Sequence, residues 1–346
     1  MKVIHLISGG DHGGAKTHVH SLLNCLCRSM DVTLVCFMNG PFAEEAQALG
    51  IPTVVMEGSL LSDLRRLRTM ICGDGYDLVH CHGARANFMG FLLKPWLSVP
   101  ILTTVHSDYK LDYMGRPIAN QTYRRLNALA LRRLDYRIGV SRFMKEQLIS
   151  RGFAPNDIFV IYNGVDFDRI ATDYSRRSFY ERLNLPITED HIVVGIAARL
   201  DPVKDVATLI RGFARACWKQ PALRLVIAGE GAELGRLQHL VQDLGLEDVV
   251  YFVGWLSNMD EFYQSIDINV LTSLSETFPY SITEGAYASL PTIASRVGGI
   301  SELIQHMETG LLFEAGDAAT LGRHLLLLGG DPALRKQLGT ALHEKA

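Results

Sequence analysis

The chain has 346 residues, 48% of them hydrophobic and 21% charged, with a formal net charge of -3. That length exceeds what one hydrophobic core usually organises, so two domains are expected, and the slightly acidic balance argues against a dedicated nucleic-acid binder. The charge is uneven: residues 1–172 hold 19 Lys and Arg against 15 Asp and Glu, and the rest hold 15 against 22, either as drift between two solvated surfaces or because the first half meets something anionic.

The first apolar run, Lys2–Ile7, leads into Gly9, Gly10, Gly13 and Gly14 and then into helical spacing over Ala15–Cys27. Strand, glycine loop and helix are the opening unit of a doubly wound α/β domain. Strand-like runs follow at Val32–Phe37, Thr53–Val55, Leu78–Cys81, Ile101–Val105, Tyr136–Val140 and Ile158–Ile161, with helical stretches such as Ser62–Met70 and Gln121–Arg133 between them. Asn163–Asp166 closes this domain, and the polar segment Ala171–Glu189 reads as a linker with a short helix. The pattern then restarts. Strands are expected at His191–Ala197, Leu223–Ile227, Val249–Val253, Ile266–Leu271, Pro291–Ala294 and Leu311–Phe313, with helices at Val203–Trp218, Ala232–Leu244, Ser281–Ala288, Ile300–Gln305, Ala318–Leu328 and Pro332–Lys345. The expected fold is α/β: two Rossmann-like doubly wound domains, 1–172 and 173–346, facing a central cleft where ligands meet the carboxyl ends of the strands.

Six cysteines, at 25, 27, 36, 72, 81 and 217, form no CxxC pair and fit free thiols in a reducing compartment. The N-terminus enters a strand without a signal-peptide pattern. Even the apolar stretch Phe88–Leu102 is broken by Lys94, Pro95 and Pro100, short of the roughly 18 residues a span needs. A cytoplasmic location is expected, with at most peripheral contact at the inner membrane face.

A glycine loop alone is a weak signal. The second strand ends at Cys36–Gly40 without the acid that would hold a ribose, which disfavours a dinucleotide site, and Gly14-Ala15-Lys16-Thr17 lacks the GxxxxG spacing of a phosphate-binding P-loop. More telling is the second half. Arg199 and Lys204 precede a helix in one loop and can reach a diphosphate from two sides. Further on, Leu271 leads into a polar loop with Glu276, and a helix expected from about Ser281 carries Glu284 in its first turn. The amides of that helix start form an anion site. Ser281 with Glu284 also fits a capping box, in which the glutamate serves only the helix, whereas Glu276 sits before Pro279 in a loop with no such explanation.

Glu276 and Glu284, with seven residues between them, match the EX7E pattern of the family 4 retaining glycosyltransferases, and the chain resembles that family end to end. The Gly13-Gly14 loop, Asp77–Gly83, Thr104-Val105-His106, Val160–Asp166, Arg199 with Lys204, Phe252–Gly254 and Arg296–Glu302 continue the likeness in order. The resemblance implies a GT-B fold and transfer of a sugar from a UDP- or GDP-linked donor to a saccharide, lipid-linked or small-molecule acceptor, in cell-surface polysaccharide or glycolipid synthesis. It implies no cofactor and no metal. Arg199 and Lys204 would hold the diphosphate, Glu284 the ribose and Glu276 the transferred sugar, together with backbone at Phe278, Pro279, Tyr280 and Ser281. Gly13 and Gly14 would lie against the phosphates, Leu256 against the donor, and His106 by the reacting carbon. The segment after Glu276 lacks the glycine that the family commonly has near Pro279, and the family's last helix, crossing back onto the first domain, would fall beyond Ala346.

Other features are weighed lower. His80 and His82 share a strand face and could co-ligate a metal with His12 and His106, but no acidic or further histidine motif in the sequence completes a set. Asp166 and Asp168 mimic a metal-binding DxD and are better read as turn residues after Asn163-Gly164. The Arg-rich stretches Leu64–Arg68 and Tyr123–Leu134 read first as solvated faces opposite a core stripe, and secondly as contacts to an anionic acceptor or membrane leaflet. The rivals to a transferase are a nucleotide-sugar epimerase on the same architecture and an idle binding subunit.

Overall fold

The computed structural model of the chain describes residues 1–10, 14–108, 117–165 and 174–346. Its contacts divide it into two compact units, Met1–Gly164 and Val165–Ala346. Gly13, His12, Asp166 and Asp168 lie outside the described residues.

The first unit is built on seven parallel strands: β1 Lys2–Ile7, β2 Asp31–Cys36, β3 Thr53–Val55, β4 Leu78–His82, β5 Ile101–Val105, β6 Tyr136–Gly139 and β7 Ile158–Val160. They lie in the order β3-β2-β1-β4-β5-β6-β7. Helices join successive strands, so both sheet faces are covered and the strands are nearly continuous apolar runs. Val3, Ile4, Leu6 and Ile7 of β1 are all buried. The Leu60–Gly73 helix shows how the pattern works: Ser59 caps it by accepting from the Ser62 amide. Leu64, Leu67 and Ile71 then face the core, while Arg65, Arg66 and Arg68 are exposed. Here the basic run is the solvated side of a core helix.

The second unit has six parallel strands: β8 Ile192–Ala197, β9 Leu223–Ala228, β10 Val250–Gly254, β11 Ile268–Leu271, β12 Thr292–Ser295 and β13 Leu311–Phe313, in the order β10-β9-β8-β11-β12-β13. The Val206–Cys217 helix packs so closely on Ala318–Gly330 that a Cβ at Gly212 would lie 3.0 Å from Leu321 and 3.1 Å from the Ala318 carbonyl. Phe213 of the first of these helices is fully buried in the core of the unit, and truncating such a side chain typically costs about 3–5 kcal/mol.

The expected linker is instead part of the second core from Tyr174 onward. Ser175 caps the Arg176–Arg182 helix, and that helix buries Phe179 and Tyr180 against Phe262 and Tyr263. The Tyr180 hydroxyl donates to the Ser265 carbonyl, and Arg182 forms a two-pronged bond to Glu261 at 2.8 and 2.7 Å. Two aromatic residues among polar neighbours are enough to dock one helical face.

Both sheets change direction between their first strand and the strand that follows the initial three: between β1 and β4, and between β8 and β11. In open α/β sheets, ligands bind beyond the strand ends at this switch. Among the described residues, no helix is long and apolar enough to cross a membrane.

Candidate active site

At the switch of the second sheet two loops are stitched together. The chain leaving β8 runs beside the end of β9, with the Leu200 amide donating to the Glu230 carbonyl at 2.8 Å. Gly229, at φ +131°, permits this approach: a Cβ there would lie 1.9 Å from the Ala198 carbonyl oxygen. A short 3-10 turn, Pro202–Lys204, follows, and Asp205 takes a left-handed backbone before the next helix. The loop leaving β11 binds this turn twice. The Leu274 amide donates to the Val203 carbonyl at 2.8 Å, and the Thr272 hydroxyl to the Lys204 carbonyl at 2.8 Å.

That framework brings Lys204 to Glu276. Lys204 Nζ lies 2.5 Å from Glu276 Oε1, and the Ser273 hydroxyl donates to the same oxygen at 2.6 Å. The two side chains are only 20% and 11% exposed. A third loop, after β12, supports them: the Ser295 hydroxyl donates to the Ser273 carbonyl at 2.6 Å, and Gly298 presses on the backbone of Glu276. With φ +54°, a Cβ at Gly298 would lie 1.7 Å from the Glu276 carbonyl oxygen. Gly298 lies within the Arg296–Glu302 segment, but nothing in sequence marks it out from Gly299.

Arg199 is not brought to the same partner. It is 64% exposed and pairs with Asp201 at 3.0 Å, so the two expected phosphate cations stand with different carboxylates.

The capping-box reading of Glu284 is overturned. The helix is Tyr280–Tyr287, its N-cap is Pro279, and no side chain caps it. Pro279, extended at ψ 127°, occupies the last non-helical position, which makes Ser281 the second helical residue and moves Glu284 beyond the first turn. Glu284 Oε2 instead accepts from the Tyr263 hydroxyl at 3.1 Å. Burial and the neighbouring Glu284 charge push the Tyr263 phenol well above its usual range, which keeps it a donor. Phe278, Pro279 and Tyr280 are buried and Ser281 is half-exposed; the Ile282 amide turns back on the Pro279 carbonyl at 3.2 Å, and the amides of Tyr280 and Ser281, as the first of the helix, have no partner within it. Leu256, half-buried after β10, packs into the Phe179–Tyr180–Phe262 cluster.

At the switch of the first sheet, Gly14 is exposed at the start of the Gly14–Leu26 helix, and half-buried His106 follows β5 directly. Around it the sequence reading missed two partners. His5 on β1 sits in register with His80 on β4, and His18 projects from the helix that follows the glycine loop. His5 Nδ1 lies 3.1 Å from His82 Nε2, and His82 Nδ1 3.4 Å from His106 Nε2. His80 Nε2 is 2.8 Å from the Thr104 hydroxyl. Burial holds the imidazoles neutral: His5 and His106 are lowered to about 3 and His18 to about 4, each helped or opposed by smaller neighbouring effects, and His80 and His82 fall well below the usual range. A histidine inside an apolar strand such as β1 is the signal that would have revealed His5.

Two parallel sheets, each covered by helices and each with a switch in strand order, define a doubly wound α/β protein. Residues 181–344 match the model of the glycosyl transferases group 1, and residues 12–169 that of glycosyltransferase family 4. The chain belongs to glycosyltransferase family 4 and is a glycosyltransferase of the GT-B type. It is 27% identical over 324 residues to an uncharacterized glycosyltransferase of Methanocaldococcus jannaschii, covering 86% of this chain and 80% of that one. It is 25% identical over 316 residues to the UDP-Gal:alpha-D-GlcNAc-diphosphoundecaprenol alpha-1,3-galactosyltransferase of Escherichia coli, covering 88% and 81%. Among solved structures it is similar to Anabaena HepE in complex with UDP-glucose, with a TM-score of 0.87 at 22% identity, covering 99% of this chain and 94% of that one.

Proposed function

We propose that the protein moves a sugar from a UDP- or GDP-linked donor to an acceptor hydroxyl with retention of anomeric configuration and without a metal. The observation that carries this reading is the Lys204–Glu276 contact at the β8/β11 switch, beside the open amides of the Tyr280–Tyr287 helix. A cation, a carboxylate and helix amides at one loop mouth suit a ligand with both phosphates and hydroxyls. The donor class is supported by the names of the Escherichia coli relative and of the HepE complex.

In this reading the donor separates the ion pair. Its diphosphate draws Lys204, and Glu276, still held by Ser273, accepts from the sugar hydroxyls. Glu284 takes the ribose hydroxyls from its place beside Tyr263. Breaking the glycosyl–phosphate bond leaves negative charge on the diphosphate, which Lys204, Arg199 and the helix amides stabilise; each such group is typically worth about 10²–10³ in rate. The acceptor attacks from the face the diphosphate leaves, and a phosphate oxygen takes its proton, so no protein base is needed and the configuration is kept. His106 and Gly14 keep the roles that the resemblance gives them, by the reacting carbon and against the phosphates. The acceptor is a saccharide, lipid-linked or small molecule bound by the more basic first half, with peripheral contact at the inner membrane leaflet.

Donor turnover with a panel of acceptors, followed by proton NMR of the anomeric centre, tests this. A product with the donor's configuration is expected. An inverted product, or release of an altered free sugar with no acceptor present, contradicts it.

A further inference from the structure

Three imidazoles of the first unit converge from separate elements: His18 from the Gly14–Leu26 helix, His82 from the end of β4 and His106 from the residue after β5. One ring nitrogen from each lies within 4.8 Å of the others. The 3.4 Å between His82 Nδ1 and His106 Nε2 is long for a hydrogen bond. It equals the edge, about 3.4 Å, of a tetrahedron whose corners sit ~2.1 Å from a central zinc ion. His18 Nε2 is buried with no hydrogen-bond partner, whereas such atoms ordinarily find one.

We propose that His18, His82 and His106 form a site for a zinc-class divalent cation, tetrahedral, with a non-protein fourth ligand. Imidazole nitrogens select zinc, copper, nickel or cobalt over magnesium, calcium or manganese, which prefer oxygen. Burial already keeps the three rings neutral, the form that ligates. The supporting shell is in place too: His82 Nε2 meets His5 Nδ1 at 3.1 Å, and Asn163 hydrogen-bonds the His18 side chain. The Asn163 amide oxygen is itself buried and accepts no hydrogen bond as it stands; with the amide turned over, that oxygen accepts the Nδ1 proton and leaves Nε2 bare. A second trio, His5, His80 and His82, is equally close, but His80 Nε2 is engaged by Thr104 and the trio is fully enclosed. Since His82 belongs to both, the half-exposed His106 decides for the first.

The cation competes with substrate. It engages His106, which the reading above gives to the sugar, so it inhibits transfer; that consequence rests on the proposed function, while binding does not.

The test is a titration of the metal-stripped full chain with Co²⁺, followed by visible absorption and then by displacement with Zn²⁺. One equivalent with the intense spectrum of tetrahedral cobalt is expected, with affinity at least tenfold weaker in His18→Gln and in His106→Gln, each checked for an unchanged circular-dichroism spectrum. No saturable binding, a weak octahedral spectrum, or affinity unchanged in both variants overturns the site and leaves three rings that merely stack. Wild-type binding decides by itself if neither variant folds. Stoichiometric binding with undiminished transfer upholds the site and removes His106 from sugar contact.

Discussion

Lys204 and Glu276, 72 residues apart, meet at 2.5 Å where the second sheet reverses its strand order. The pair sets a cation beside a carboxylate that a second side chain also holds, where a phosphate and a sugar would part. Ser273 holds only the carboxylate, so Lys204 is the member free to swing. Lys204→Ala is expected to lower turnover about 10²–10³-fold, and to lower stability by about 3 kcal/mol, since the pair is mostly buried and Glu276 loses its counter-charge. Release of nucleoside diphosphate at saturating acceptor measures this, and unchanged turnover removes Lys204 from the phosphate.

Glu284 gives a sharper contrast. Because no side chain caps the helix at Pro279, Glu284→Gln has no cap to break, and the glutamine oxygen can still accept from Tyr263. The expected result is an unchanged melting temperature with nucleoside diphosphate affinity reduced about tenfold or more by calorimetry. A large loss of stability at normal affinity would return Glu284 to a structural role.

Gly298 carries the backbone of Glu276. Gly316, at φ +82°, offers open space to a side chain, with nothing within 4 Å of where a Cβ would stand, so Gly316→Ala reports left-handed strain alone, about 1–2 kcal/mol. Gly298→Ala adds the collision with the Glu276 carbonyl and is expected to cost more than about 3 kcal/mol in urea denaturation and to abolish turnover. Equal costs for the two variants contradict the close approach.

The buried histidines set an acid limit. His5, His18 and His106 titrate in the folded chain at about 3, 4 and 3, below the unfolded value of about 6.5. The unfolded chain therefore binds more protons below pH 6.5. Stability is complete above that pH and declines toward pH 3–4, by about 1.4 kcal/mol per pH unit for each such group. Urea midpoints between pH 7 and 4 should fall steeply, and less steeply in His5→Gln; a flat profile contradicts burial of the neutral rings.

What the sequence disclosed follows from which interactions leave a periodic trace. Strands such as Thr53–Val55 and Ile101–Val105 are found at their expected bounds, because a parallel strand buried on both faces is an unbroken apolar run. The loop with Glu276 and the position of His106 after β5 were legible for the same reason. Contacts between distant loops leave no such trace. The Lys204–Glu276 pair, the pressure of Gly298 on Glu276 and the approach of His18 to His106 depend on strand order. Local cues also misled: Ser281 looks like an N-cap until Pro279 takes that position, and polar residues around Phe179 and Tyr180 hide a core helix.

The central claim is that the Lys204–Glu276 loop site holds a nucleotide-sugar donor. It is tested most directly by melting the wild type and Lys204→Ala with a panel of nucleoside diphosphates and nucleotide-sugars, because a ligand that binds only the folded state raises its stability by mass action. Stabilisation of the wild type by a uridine or guanosine diphosphate and its sugar, largely lost in Lys204→Ala, is the predicted result. No shift with any nucleotide, or equal shifts in both proteins, would contradict it.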